Sequence, residues 1–189
     1  MSKNHLLAAL ALFCSLASAP ALAQDADALK SQAAQNTAAF GDALKEELVG
    51  ALNAGGPIAA IGACNEKAPA IAKAKSQEGW RVGRTSLKLR NTGNTPDAWE
   101  QATLAEFEAR KAKGEPAAQL AKAEIVTENG QKTFRFMKAI PTAPLCLSCH
   151  GAEIKPEVAA KLDALYPKDK ARGFAEGDLR GAFTLSKKL

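Results

Sequence analysis

Aromatic residues are scarce in this 189-residue chain: seven phenylalanines, two tryptophans and one tyrosine. A nucleic-acid surface built on base stacking and a basic patch needs more than that, so no nucleic-acid partner is expected. Histidine and methionine are scarcer still, at two each, and there are four cysteines. After the first segment no apolar run approaches the roughly 20 residues a membrane-spanning helix needs, so none is expected in the mature chain. Charge is mixed, with 25 basic and 20 acidic side chains and a formal +5. That mild balance suits an acidic partner or the carboxylates of a cofactor.

The first 23 residues read as a signal peptide. Lys3 supplies the positive start, Leu6 to Leu16 the apolar stretch, and Ala21-Leu22-Ala23 the small-residue cleavage site. Cys14 follows Ala11-Leu12-Phe13 rather than a lipobox and leaves with the leader. Removing 1–23 takes away Lys3 and no acid, so +5 becomes +4. Residues 24–189 then form a single domain, exported to the periplasm, of a size that buries a real core. No output domain or anchor is read in them, so any signal would be passed to a separate protein.

The scarcity makes the ligand arithmetic short. The mature chain keeps one histidine (His150), one methionine (Met137) and three cysteines (Cys64, Cys146, Cys149). Cys146-Leu147-Ser148-Cys149-His150 is the pattern of covalent c-type haem attachment. Two thiols one helical turn apart reach the two vinyl groups on one haem edge, and the adjacent imidazole swings under the iron. The competing uses are a Cys146–Cys149 disulfide and a closed zinc site from Cys64, Cys146, Cys149 and His150. Export and the full pentapeptide favour one covalent haem, with His150 as an axial ligand.

Periodicity orders the rest. Leu29, Ala33, Phe40, Leu44, Leu48 and Leu52 recur at helical spacing over Asp25 to Asn53. That stripe could pair with a second copy as a homodimer, although packing on its own domain is the simpler use. Gly55-Gly56-Pro57 ends this helix, and Pro57 opens another carrying Ile58, Ile61 and Cys64. Trp80 to Leu89 reads as a strand. Thr95 is expected to cap a helix running to about Arg110, with Pro96 in its first turn. Asn129-Gly130 is a strong hairpin signal between Ala123–Glu128 and Gln131–Ile140, with Phe134, Phe136 and Ile140 on one face and Arg135 and Met137 on the other. A short helix over Cys146–Gly151, a helix from Pro156 to Leu165 and a strand from Leu179 to Ser186 complete the chain. This order predicts an α+β fold with an antiparallel sheet, rather than a four-helix cytochrome bundle.

Val82-Gly83-Arg84-Thr85-Ser86-Leu87-Lys88-Leu89-Arg90-Asn91, with Asn94, Pro96, Asp97, Trp99 and Glu100, begins a longer resemblance. It continues through Arg135 to Ile140, the haem motif, Gly173-Phe174, Gly177-Asp178 and Arg180-Gly181-Ala182-Phe183. These stretches resemble a family of exported c-type haem domains catalogued as a domain of unknown function. The resemblance implies a PAS-like sheet similar to haem sensor domains, with a long N-terminal helix and flanking helices. It also implies a cysteine as second axial ligand, from the helical region before the first strand; the matching residue is Cys64.

The residues alone leave that position open. Cys64 is the cysteine left over after attachment, and a lone thiol in an oxidising compartment calls for a role. A buried apolar cysteine, ligation by Met137, and an open or water-bound iron are the alternatives. Arg84, Arg90 and Arg180 are the candidates for the haem propionates, and Trp99 and Phe136 either line the haem or pack the core. Cysteine ligation lowers the potential and favours a redox or gas sensor, reading out to an unidentified periplasmic redox or signalling partner. An electron-transfer cytochrome is the alternative. An enzyme of the peroxidase or nitrite-processing kind is disfavoured, since no second histidine remains as a distal acid–base group.

Overall fold

The computed structural model describes residues 19–189, with side chains from Asp25 onward except that of Glu128. The leader assigned to 1–23 lies outside the described residues up to residue 18. Helix α1 (Ala19–Lys75) is continuous in outline but bends at Gly55 and Gly56. Gly56 has φ 67° and ψ −163°, a region essentially reserved for glycine. Pro57 then opens the second limb, so the expected end of one helix and start of another is a kink between two limbs.

Strands β1 (Trp80–Thr85), β2 (Ala121–Glu128), β3 (Gln131–Pro141) and β4 (Leu179–Lys188) form one antiparallel sheet in the order β1-β4-β3-β2. Helix α2 (Ala98–Ala112) follows β1, while α3 (Leu147–His150) and α4 (Pro156–Leu165) lie between β3 and β4. This is the α+β class expected. Asn129 and Gly130 both take positive φ, 51° and 79°, and Glu128 pairs with Gln131, the geometry a two-residue hairpin needs.

Alternation along β3 splits the core into two layers. Phe134 and Phe136 join Trp80, Val82 and Leu185 against Ala33 and Phe40 of the first limb of α1. One residue out of phase, Met137 and Ala139 pack with Leu104 and Phe107 of α2. Arg135 projects toward α2, where Asp97 (2.6 Å) and Glu100 (3.4 Å) meet its guanidinium and Trp99 lies 4.6 Å beneath it. Trp99 and Phe136 therefore serve packing.

Three readings are corrected. The cap of α2 is Asp97, not Thr95: Asp97 accepts from Glu100 N (2.9 Å) and Glu100 returns a bond to Asp97 N (3.0 Å). That reciprocal pair satisfies two orphan amides, which Thr95 two residues earlier cannot do. Strand β1 stops at Thr85, four residues early, because Ser86 turns its hydroxyl to Arg180 O (2.9 Å) and accepts from Lys88 N (3.2 Å). Gly181 of β4 passes so close that a Cβ there would lie 2.4 Å from Thr85 O. Finally, one window of the 25–75 helix is long and apolar enough to cross a membrane by composition, at mean hydropathy 1.2. That window is 11% buried, while along the helix Ala33 and Phe40 pack against the sheet and Ile61 against α4.

Candidate haem site

The attachment motif sits on one tight turn. A 3-10 turn, Pro144–Cys146, runs directly into α3, which ends at Gly151. A side chain at 151 would place its Cβ 2.6 Å from Leu147 O, so glycine is what allows the exit. Gly151 then pairs with Phe174 as an isolated parallel bridge, through Phe174 N to His150 O (3.0 Å) and Gly173 N to Gly151 O (2.9 Å). The thiols of Cys146 and Cys149 are unbonded, which removes the disulfide reading. Among the described residues no three His, Cys, Asp or Glu side chains gather as a metal-binding group, so the Cys₃His tetrahedron does not form.

His150 is held by its far nitrogen. Nδ1 lies 2.8 Å from Ala171 O, an acceptor only, so Nδ1 carries the proton and donates it. Arg90 Nη1, a donor only, stands 3.4 Å from Nε2, which agrees with a lone pair there. Arg180 Nε at 3.2 Å from Nδ1 is then a close approach rather than a bond. This tautomer presents Nε2 as the ligand atom, with the other nitrogen anchored on a carbonyl, as metal-bound imidazoles are held. Phe174 meets the ring edge-on at 6.3 Å.

Arg90 and Arg180 flank the imidazole, and Arg84 lies near Arg180 and Cys64. Arg90 donates to Asp169, Cys149 O and Ala171 O, so its guanidinium knits the motif to the loop after α4. Arg180 lies over Phe174 at 5.3 Å and reaches Ser86 Oγ at 3.4 Å. Burial, with Arg90 and Arg84 as like-charged neighbours, lowers its pKa to about 10. The Arg84 side chain, on β1, has no hydrogen bond or ion pair among the described residues, and burial lowers its pKa while Cys64 and Tyr166 raise it. Against these stands Asp169, whose side chain is 1% exposed and already shared by Arg90 and Arg172. Half-buried cations with so little counter-charge favour an anionic occupant. A haem's propionates and an axial thiolate have that chemistry, and Arg84 and Arg180 have donors free for them.

Cys64 completes the cluster. Ile61, one turn earlier, packs with Val158 and Leu162 of α4 in a group that also includes Cys149 and Tyr166. The Cys64 residue is open to solvent, yet protein on its other sides desolvates the thiol. Burial raises its pKa first, Arg84 opposes, and Cys149 is near enough to raise it further. An exposed residue is not part of the core, so the buried-cysteine alternative does not describe it. Met137 is 0% exposed in the cluster with Leu104 and Phe107, on the α2 side. Asp169, the Ala171 carbonyl and Tyr166 were not singled out from sequence. Tyr166 is the sole tyrosine, and its hydroxyl, raised in pKa by burial and by Cys64, hydrogen-bonds the Asn65 side chain.

Comparison with family models places residues 15–187 in a match to the model described as Tll0287. The chain belongs to the Tll0287-like family. A solved structure, the crystal structure of the cyanobacterial heme-protein Tll0287, shares its fold at TM-score 0.55 and 24% identity, covering 89% of this chain and 95% of that one. Comparison with curated proteins finds no match.

In this family member the buried imidazole has a pH consequence. Burial first, then Arg180 and Arg90, lowers the His150 pKa from 6.5 to about 3. In the unfolded chain the ring binds a proton below about pH 6.5, whereas in the fold it stays neutral down to about pH 3. The unfolded state therefore holds more protons throughout that window, and stability falls as pH drops through it. Urea midpoints of the haem-free chain should decline between pH 7 and pH 4, and His150→Asn should flatten that decline.

Proposed function

We propose that this protein is a periplasmic haem protein with one covalent c-type haem, thioether-linked at Cys146 and Cys149 and axially held by His150 and Cys64, acting as a redox sensor or module. The observation that carries this is the convergence of the attachment turn, a neutral Nε2-presenting imidazole and the Cys64 thiol inside one arginine-rich cluster. Haem in the structural relative supports it.

When bound, the haem supplies a one-electron couple whose potential follows its axial ligands. The chain's part is to hold and to tune. Ala171 O orients His150, while Arg84 and Arg180 offer donors to the propionates. Arg84 also stands beside Cys64, where its charge favours the thiolate. Burial works the other way and would keep an unligated Cys64 thiol protonated at neutral pH. A Cys64 thiol under these opposed influences would suit a redox-sensing haem better than fast electron shuttling. Catalysis fits less well, since His150 is the one histidine of residues 24–189 and this reading uses it at the iron, leaving no second imidazole as a distal acid–base group.

Expression with its leader in a host that matures c-type cytochromes tests this. Haem should be recovered from the periplasmic fraction and should stay on the chain through denaturing electrophoresis. Cys146→Ala with Cys149→Ala should release it. Haem extractable from the wild type by acidified solvent would remove covalent attachment, and haem-free protein would remove the reading altogether.

A further inference from the structure

Asp169 lies in the loop between α4 and β4, its carboxylate 1% exposed, and four donors converge on it. Arg90 Nε and Nη2 each lie at 3.2 Å, Arg172 Nε at 2.9 Å and the Ala171 backbone N–H at 2.9 Å. The last contact reaches the haem site. Ala171 is the residue whose carbonyl receives the His150 Nδ1–H at 2.8 Å. Asp169 thus holds Ala171 by its N–H, and Ala171 holds the imidazole by its C=O. Arg90 closes the circuit, donating to Ala171 O at 3.1 Å and to Cys149 O, the carbonyl of the peptide joined to His150.

We propose that Asp169 is a positioning residue for the axial imidazole, setting its ring orientation through Ala171 and placing a buried negative charge behind it. The inference rests on the reading of His150 as the iron ligand. Metal-bound histidines commonly donate their second N–H to a carboxylate or a carbonyl, which fixes the ring and raises its basicity. Here a backbone residue is interposed between carboxylate and ring. A buried ion pair that merely ties residue 90 to residue 169 would account for the Arg90 contacts. It does not account for the carboxylate also gripping the residue that carries the histidine's acceptor.

The charge has a definite sign. An anion behind the ligand favours the ferric state, so removing it favours the ferrous one. Asp169→Asn keeps the side chain's shape but loses the charge and turns a donor toward Arg90 or Arg172. In the haem-loaded protein it should raise the midpoint potential and change the spread of the low-spin electron spin resonance g-values, with haem per chain unchanged. Asp163→Asn is the matched control. It removes one carboxylate from the same partner, Arg172, at a 67% exposed position with no path to His150, and it should leave both readouts at wild-type values.

If Asp169→Asn does not fold, Arg90→Lys decides, because it keeps the charge and loses the fork spanning Asp169, Cys149 O and Ala171 O. Its g-values should move. Wild-type g-values and potential in folded Asp169→Asn, or in Arg90→Lys where that substitutes for it, would overturn the proposal while leaving the haem reading intact. Wild-type protein that binds no haem would overturn both.

Discussion

Replacing Cys64 by serine should abolish the low-spin thiolate signature of the ferric protein and raise its midpoint potential. Thiolate stabilises ferric iron by its charge, and a serine hydroxyl near neutral pH does not. Because axial-ligand identity moves haem potentials over about 0.8 V, a rise on the order of 100 mV or more is expected. The substitution is nearly isosteric, and Cys64 is exposed, so the fold should tolerate it. Ferric and ferrous absorption, electron spin resonance and a redox titration of the two proteins check this. Spectra identical to the wild type would return the sixth position to Met137 or to an open site. Met137 would then have to leave a fully buried place beside Leu104 and Phe107. That cost makes it the weaker of the two alternatives.

Truncating Phe107 to alanine should be the most destabilising single change to the core. Phe107 is 0% exposed and packs with Leu104, Leu120, Met137, Ala139 and Leu179, joining α2 to the sheet face opposite α1. Deleting a buried aromatic side chain costs roughly 3–5 kcal/mol, a large part of the about 5–15 kcal/mol that holds a domain together. With a urea slope of about 2 kcal/mol/M, the midpoint should fall by about 2 M. In the folded fraction the haem spectrum should be unchanged, since Phe107 packs in a cluster that contains none of Cys64, Cys149 and His150, the proposed haem residues. A midpoint within about 0.5 M of the wild type would mean that the α2 layer contributes little to stability.

Local chemistry made much of this molecule readable in advance. Asn129-Gly130 demands positive φ twice and so declares its hairpin. Pro156 begins α4 where a proline is tolerated, and Gly55-Gly56-Pro57 marks the bend in α1. Where the reading slipped, two local signals competed. Thr95 and Asp97 are both capping residues near Pro96, and only the reciprocal bond with Glu100 selects Asp97. The end of β1 depends on Ser86 meeting Arg180, 94 residues away, and no window around Thr85 contains that partner.

The site divides along the same line. The Cys146–His150 pentapeptide and the leftover Cys64 could be singled out as candidates because ligand chemistry depends on residue type and short spacing, and this chain holds few residues of those types. The division of labour among the arginines was not. Arg90, Arg84 and Arg180 look alike in sequence, but Arg90 is claimed by Asp169, 79 residues on, while Arg84 has no such partner among the described residues. The tautomer of His150 follows from a carbonyl 21 residues further along the chain. A backbone carbonyl carries no side-chain identity, and it is the pairing of Gly151 with Phe174, with the bonds joining Ala171 to Asp169 and Arg90, that brings it to the ring. Residue type therefore named the candidates, and long-range closure of loops onto the sheet decided which groups surround them, because hydrogen-bond partners are chosen by distance in space rather than along the chain.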